Sequence, residues 1–327
     1  MKKVLVTGGA GYIGAHVVNK LKDFSNIEIH VVDILKESKN NIITSKGIYY
    51  YQVDIRNKEE LSDLLLKIKP DVVMHFAAIA SVPDSMVRPF EYYETNVIGG
   101  INLLEAMRNI GLSKIVFSSS ASTYGEPKSE SIKEDHPQSP TNTYGYTKLV
   151  FENILKDYDR AYGFSSISFR YFCAAGCDTT AGLGEYHSPE THVIPSMVET
   201  ALGKREKFFV YGKDFNTTDG TGVRDYIHVN DLADAHILAM SKLFTEGNVC
   251  KQYNLGINKG FSVMELIKSL EKMLGCDLNF EIKDRRPGDP SKLIADSTLA
   301  QKELGWKPKF LDIADIVKDT YISFKNR

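Results

Sequence analysis

A chain of 327 residues is long enough for about two domains and a sizeable core. Its 40 Lys and Arg nearly balance 42 Asp and Glu, so the charge gives no footprint for nucleic acid or an anionic membrane surface. The four cysteines, Cys173, Cys177, Cys250 and Cys276, form no C-x-x-C pair, and neither a disulfide framework nor a metal site is expected.

The N-terminal segment MKKVLVTGGAGYIGA starts basic and apolar, but glycines interrupt it at once and no signal-peptide body follows. No apolar run is long enough to span a bilayer, and a soluble, cytoplasmic protein is expected. Short β-branched runs then alternate with amphipathic stretches. Strands are predicted at 2–8, 27–34, 48–55, 71–78, 114–120 and 165–172, with helices near 12–23, 58–68, 90–110 and 144–162. Asn57 followed by Glu60 reads as a capping box. Near-continuous apolar strands separated by helices predict an α/β fold, a doubly wound parallel sheet of the Rossmann type. Ligands of such a sheet sit at the carboxyl ends of its strands.

The first turn carries the strongest local signal. Gly8, Gly11 and Gly14 follow a strand and open a helix. Glycines there allow a tight turn, close approach of backbone to a pyrophosphate, and close helix–strand packing. The helix N-terminus adds free N–H groups and a partial positive charge. Asp33 closes the second strand. A carboxylate at that place accepts hydrogen bonds from an adenosine ribose and repels a 2′-phosphate, so NAD is the expected cofactor. The plainer alternative for Asp33 is a residue that ends the strand. Asp54, after the third strand, is placed to meet the adenine.

Residues 144–148 read YGYTK, just where a polar, proline-bearing loop gives way to a helical pattern. Tyr144 and Lys148 are one helical turn apart and share a face. A fixed cation beside a phenol favours the phenolate, which makes a general base usable near neutral pH. These five residues alone also fit a surface Tyr and Lys on an amphipathic helix. His75, inside an apolar strand, reads as a core histidine. After Phe172 the pattern breaks into loops over 173–192, with a lobe for substrate expected beyond. Residues 220–236 run from a strand into a helix, YNLG at 253–256 reads as a strand returning to the sheet, and Ser262 with Glu265 forms a second capping box for a helix to about 274.

TGGAGYIG, DVVMHFAA, KIVFSSSASTYG, YGYTK, RYF and GVRDYIHVNDLADAH occur in that order. Together they make the chain similar to the extended short-chain dehydrogenase/reductases, and within them it resembles the UDP-glucose (UDP-galactose) 4-epimerases over nearly its whole length. The resemblance implies Tyr144 as catalytic base and acid, Lys148 as its activating partner, and Ser120 as the holder of the sugar 4-hydroxyl. It implies that C4 hydride passes to the nicotinamide, the 4-keto sugar turns over, and hydride returns to the other face, so that NAD stays bound. Tyr12, Ile13, Ile55, Phe76, Ala77, Ala78 and Phe172 join the glycines and Asp33 in the implied cofactor set. Asn96 is implied near cofactor and lysine, although a locally satisfied helix asparagine fits equally.

On the substrate side the resemblance implies His192, Val193 and the run Phe209-Val210-Tyr211 at the uridine, Arg224 and Arg286 on the diphosphate, and Asp289 on the ribose. An Arg224–Asp225 pair and an exposed Arg286 are the plainer alternatives. Three positions depart from the family pattern. Cys173 and His192 replace asparagines, and Leu293 stands at the position that tunes pocket size beside the hexose. Also implied are a cofactor domain over 1–172 with a return near 225–257, an interleaved substrate domain over 173–327, and a homodimer formed through the helices near 90–110 and 144–162. UDP-glucose and UDP-galactose are the expected sugars, with room for N-acetylated forms. The competing readings are a nucleotide-sugar dehydratase or decarboxylase on the same fold, disfavoured by Ser-Ala-Ser at 120–122, and a non-catalytic NAD-binding module, disfavoured by Tyr144 and Lys148.

Overall fold

A computed structural model describes residues 1–35, 41–186, 190–286 and 289–327. The first half runs β1 (Lys2–Thr7), α1 (Tyr12–Leu21), β2 (Ile27–Asp33), β3 (Ile48–Gln52), α2 (Lys58–Ile68), β4 (Val72–His75), the short α3 (Val82–Ser85) and α4 (Pro89–Tyr93), α5 (Gly99–Asn109), β5 (Lys114–Ser120), α6 (Thr143–Tyr162) and β6 (Ser165–Tyr171). There follow β7 (Cys173–Ala175), α7 (Val193–Ala201), β8 (Phe208–Tyr211), β9 (Val223–Arg224), β10 (Tyr226–His228), α8 (Val229–Thr245), β11 (Cys250–Leu255), β12 (Phe261–Ser262), α9 (Val263–Leu274), β13 (Phe280–Lys283), β14 (Lys292–Leu293), α10 (Thr298–Leu304) and α11 (Ile313–Lys325).

Seven parallel strands form one sheet in the order β11-β6-β5-β4-β1-β2-β3. Their apolar residues feed two cores. Val4, Val6, Val31 and Phe169 join residues of α1 and α8 on one face, while Leu5, Val73, Ile115 and Phe117 join residues of α2, α5 and α6 on the other. Strand order reverses between β1 and β4, which opens a crevice at their carboxyl ends. The segment near 253–256 does return to this sheet, as β11. A third core lies among α7, α9, α11 and β8. Among the described residues no helix is long and apolar enough to cross a membrane.

Several predicted elements end early, for reasons visible in the hydrogen bonding. β4 stops at His75 because the N–H groups of Phe76 and Ala77 both turn to the Thr7 carbonyl, at 2.9 and 3.1 Å. The helix predicted over 90–110 is broken by a π-turn at Glu94–Ile98 between α4 and α5. Such a turn adds a residue and re-aims a side chain, here Asn96. Asn57 accepts from the Glu60 N–H, but its own N–H goes to the Asp54 carbonyl, so the expected capping box is only half made. The box at Ser262 and Glu265 is complete.

Candidate active site

The turn after β1 lies at the mouth of the crevice. Gly8 has φ +70°, and a side chain there would stand 2.6 Å from the Ala77 nitrogen. Only glycine lets this turn press against the Phe76–Ala77 segment. α1 starts at Tyr12 with Gly11 as its N-cap, and neither a capping side chain nor an acidic residue occupies its first turn. The carboxylate of Asp33 accepts from Ala10 N at 3.1 Å and Leu35 N at 2.9 Å, so the end of β2 is tied to the glycine turn. These features fit a dinucleotide: a cradle that a Cβ would fill, an open helix N-terminus, and an acid at the neighbouring strand end. Asp54 is gripped by the Arg56 guanidinium at 2.6 Å. Ile55 is buried beside Gly99, and Ile13 packs on the core under the turn.

Tyr144, Lys148 and Ser120 converge at the end of β5. Asn142 caps α6 by accepting from Gly145 N at 2.8 Å. A side chain at Gly145 would collide with the Ser122 carbonyl, so glycine is what lets the first turn of α6 lie on the Ser120–Ser122 turn. This places the Tyr144 phenol against Ser120. Burial pushes Tyr144 up to about 12, and its bond with Ser120 opposes the rise. Burial also pulls Lys148 down to about 7, against the pull of Glu152. Lys148 Nζ donates to the Ser118 carbonyl at 2.7 Å and stands 5.7 Å from the centre of the Tyr144 ring. The expected lysine–phenol contact is not made in this structure. Desolvation outweighs a cation that is not in contact. Tyr146 is exposed on the other face of the helix.

Asn96 is a clamp and not a locally satisfied helix residue. Its Oδ1 accepts from Ile79 N at 2.8 Å, and its Nδ2 donates to Ile79 O at 3.0 Å and Thr147 Oγ1 at 3.1 Å. Phe76, Ala77 and Ala78 thus lie in a segment held at one end by β1 and at the other by Asn96. His75 is a core residue, paired with Thr7 Oγ1 at 2.6 Å and pulled down to about 3 by burial and by Lys148.

The substrate-side residues fall into two groups. Arg224 Nη2 lies 3.7 Å from Asp289 Oδ1, and Leu293 is in register with Arg224. Cys173 joins them. Burial pushes its thiol up to about 11, and the charge of Arg224 opposes this. Leu293 packs against the small cluster formed by Ala121, Tyr124, Ile132, Phe172 and Ala295. The Arg224–Asp225 pair is not formed. Asp225 is spent on the backbone N–H groups of Ile257, Asn258 and Ala295. In the second group, Arg286 stacks 3.9 Å above the Tyr211 ring. Phe209 and Tyr211 share the exposed face of β8, whereas Val210 points into the core and leaves the expected run.

His192 precedes α7, with Val193 as its first residue. Its Nδ1 lies 2.7 Å from Glu185 Oε1 and 2.9 Å from Glu190 Oε1. Desolvation opposes protonation, but the hydrogen bonds and charges of the two carboxylates outweigh it and raise the pKa to about 10, even though the ring itself is half exposed. Atoms of these three residues that could ligate a metal lie within 4.8 Å of one another, a grouping the sequence did not suggest. A protonated His192 offsets one of the two carboxylate charges. Sequence reasoning also missed Asn142, Thr147, Ser119 and Glu152. The available signal for Glu152 was its spacing of one turn from Lys148.

A family model described as "NAD dependent epimerase/dehydratase family" matches residues 4–256. A UDP-glucose 4-epimerase of Streptococcus mutans is 44% identical over 320 residues, covering 97% of this chain and 95% of that protein. The crystal structure of a UDP-glucose 4-epimerase from Bifidobacterium longum in complex with NAD+ and UDP is 37% identical, with a TM-score of 0.93 over 100% of this chain and 99% of that one. The UDP-Glc/GlcNAc 4-epimerase of Campylobacter jejuni is 36% identical, with a TM-score of 0.86 over 100% of both chains.

Proposed function

The chain belongs to the NAD dependent epimerase/dehydratase family, and we propose that Tyr144, Lys148 and Ser120 carry its reaction, the NAD-dependent 4-epimerisation of a UDP-hexose. The observation that carries this assignment is the convergence of the three side chains at the end of β5, beside the crevice where strand order reverses. Bound NAD supplies the hydride acceptor and donor at C4. Gly8, Gly11, Tyr12, Ile13, Gly14 and Asp33 would hold its adenosine and pyrophosphate parts, with Asp54 and Ile55 at the adenine. Phe76, Ala77, Ala78, Asn96 and Phe172 would line the nicotinamide side.

Ser120 holds the sugar 4-hydroxyl. Tyr144 takes its proton and later returns it. Lys148 orients the cofactor and supplies positive charge toward the phenol. Arg224 and Arg286 grip the diphosphate, since a planar guanidinium makes two parallel bonds to phosphate oxygens. Asp289 meets the ribose, Phe209 and Tyr211 flank the uridine, and His192 with Val193 closes that end. Cys173 weakens a polar contact to the sugar, because a thiol is a poor hydrogen-bond partner. Leu293 leaves room for an acetamido group, so UDP-N-acetylglucosamine and UDP-N-acetylgalactosamine are turned over beside UDP-glucose and UDP-galactose.

The same reading divides the work between a cofactor lobe, residues 1–172 with the return through α8 and β11, and an interleaved substrate lobe. It makes the protein a cytoplasmic homodimer. Met86, Val87, Phe90, Tyr93, Ile98 and Tyr146 are exposed together along α3 to α6, with Val87 76% and Phe90 72% accessible. Such a patch calls for a partner surface, and Phe90→Asp should give a monomer by light scattering. The reaction itself is tested by incubating purified protein with UDP-galactose and resolving the products. UDP-glucose supports the assignment. A dehydrated keto-sugar or unchanged substrate overturns it.

A further inference from the structure

Glu152 is completely buried in α6, one turn beyond Lys148, and its carboxylate is fully engaged. Arg170 of β6, 2% exposed, donates Nε to Oε1 at 3.0 Å and Nη2 to Oε2 at 2.7 Å. Ser119 Oγ donates to Oε1 at 2.5 Å. Ser119 lies between Ser118, whose carbonyl receives Lys148, and Ser120, whose hydroxyl meets Tyr144. Ser119 and Arg170 are also direct neighbours across β5 and β6. Arg170 extends the network to the Tyr124 hydroxyl at 2.8 Å and the Glu134 carbonyl at 3.0 Å. A buried ion pair of this kind is often no more stabilising than apolar packing of the same shape, so stability alone does not explain it.

We propose that Glu152 is a positioning residue for the 4-epimerase reaction: through the Ser119 hydroxyl it fixes the strand end that presents Ser118 to Lys148 and Ser120 to Tyr144, and it is the anion that faces the lysine. The proposal rests on the reading of Tyr144 and Lys148 given above. On its own helix Lys148 has Tyr144 and Glu152 one turn to either side; His75 on β4 feels its charge, and on β6 Arg170 is bonded to Glu152 while Tyr171 lies near Tyr144. His75 is neutral and Arg170 is permanently cationic. Glu152 is therefore the negative charge that opposes the effect of burial on the ammonium. Its removal takes away the carboxylate paired with Arg170, leaving only the weaker influence of Glu134, and makes the surroundings of Lys148 and Tyr144 more positive. Both groups then lose protons at lower pH.

The test is kcat and kcat/KM against pH for Glu152→Gln, Glu152→Asp, Ser119→Ala and Lys148→Met, each with its bound NAD content and melting temperature. Glu152→Gln should move the alkaline limb to lower pH by about one unit or more, cutting kcat about tenfold at the parent's alkaline limb. Glu152→Asp should keep the limb in place with reduced kcat. Ser119→Ala should lower kcat at unchanged KM and unshifted limbs. Lys148→Met should shift the opposite way, raising the pH at which activity turns on. If Lys148→Met leaves the profile in place, the reading of the catalytic group fails. If it shifts while a folded, NAD-loaded Glu152→Gln does not, the role of Glu152 alone fails. Should Glu152→Gln not fold, parent-like kcat in both Ser119→Ala and Glu152→Asp overturns the proposal.

Discussion

Replacing Asn96 by alanine should loosen the cofactor side of the crevice without touching the proton-transfer groups. Asn96 is 3% exposed and makes three hydrogen bonds, two to the backbone of Ile79 and one to Thr147. Thr147 keeps its donation to the Tyr144 carbonyl at 2.7 Å in the variant. The Ile79 N–H and C=O lose their partner. An orphaned polar group costs about 1–3 kcal/mol when buried. Ile79 is only partly buried, so water recovers some of this, and a net loss of about 2–3 kcal/mol is expected. For a chain of 327 residues the apparent melting midpoint should fall by about 3–5 °C. A ligand that binds only the folded state adds RT ln(1 + [L]/Kd). If the 76–79 segment is part of the NAD site, the rise in midpoint on adding NAD should be smaller in Asn96→Ala than in the parent. Thr147→Val, which removes one of the three bonds, should lie between them. Equal midpoints and equal NAD responses in parent and Asn96→Ala would show that the segment is held by something else.

Tyr144→Phe should lose about 10²–10⁴-fold in epimerisation rate while NAD and UDP still bind, because only the proton-carrying oxygen is removed; near-full turnover at neutral pH would exclude Tyr144 as the base. Cofactor released by denaturing the purified protein should be NAD(H), since an acid at the end of β2, as proposed for Asp33, would repel a 2′-phosphate; recovery of mainly NADP(H) contradicts that assignment. Leu293→Tyr should lower kcat/KM for UDP-N-acetylglucosamine more than for UDP-glucose, because under the proposed assignment a ring at this position would take up room beside the hexose. An unchanged ratio removes Leu293 as the size gate.

The parts legible in the sequence are those that local chemistry dictates. The glycine turn is fixed by φ +70° at Gly8 and by the missing Cβ, which any reader of the spacing can infer. The parallel sheet follows from apolar runs, and Ser262 with Glu265 from capping chemistry that needs only four residues. What was hidden depends on residues far apart in the chain. The break in the helix over 90–110 is tied to Asn96, whose partners are Ile79 and Thr147, 17 and 51 positions away. Val210 sits between two residues of the expected uridine contact but faces the core, because side chains alternate along a strand. Asp225 could be read as a partner for Arg224 only while Ile257, Asn258 and Ala295 were not known to surround it.

The acidity of Tyr144 and Lys148 is the clearest case of a property set by the fold and not by the motif. Spacing puts Tyr144 and Lys148 on one helical face, and proximity alone argues for a phenolate. Burial acts on both groups toward their neutral forms, up to about 12 for the phenol and down to about 7 for the ammonium. With Nζ committed to the Ser118 carbonyl, the cation does not reach the oxygen it would stabilise. In this geometry burial favours the neutral phenol. Opposite charges formed together in a poorly hydrated site stabilise each other far more than they would in water. A movement of Nζ from Ser118 toward the phenol would thus lower one pKa and raise the other in the same step. Under the proposed assignment the base would then be generated beside Ser120 and the sugar 4-hydroxyl, and the lysine's protonation, opposed by burial and supported by Glu152, would set the pH range over which this happens.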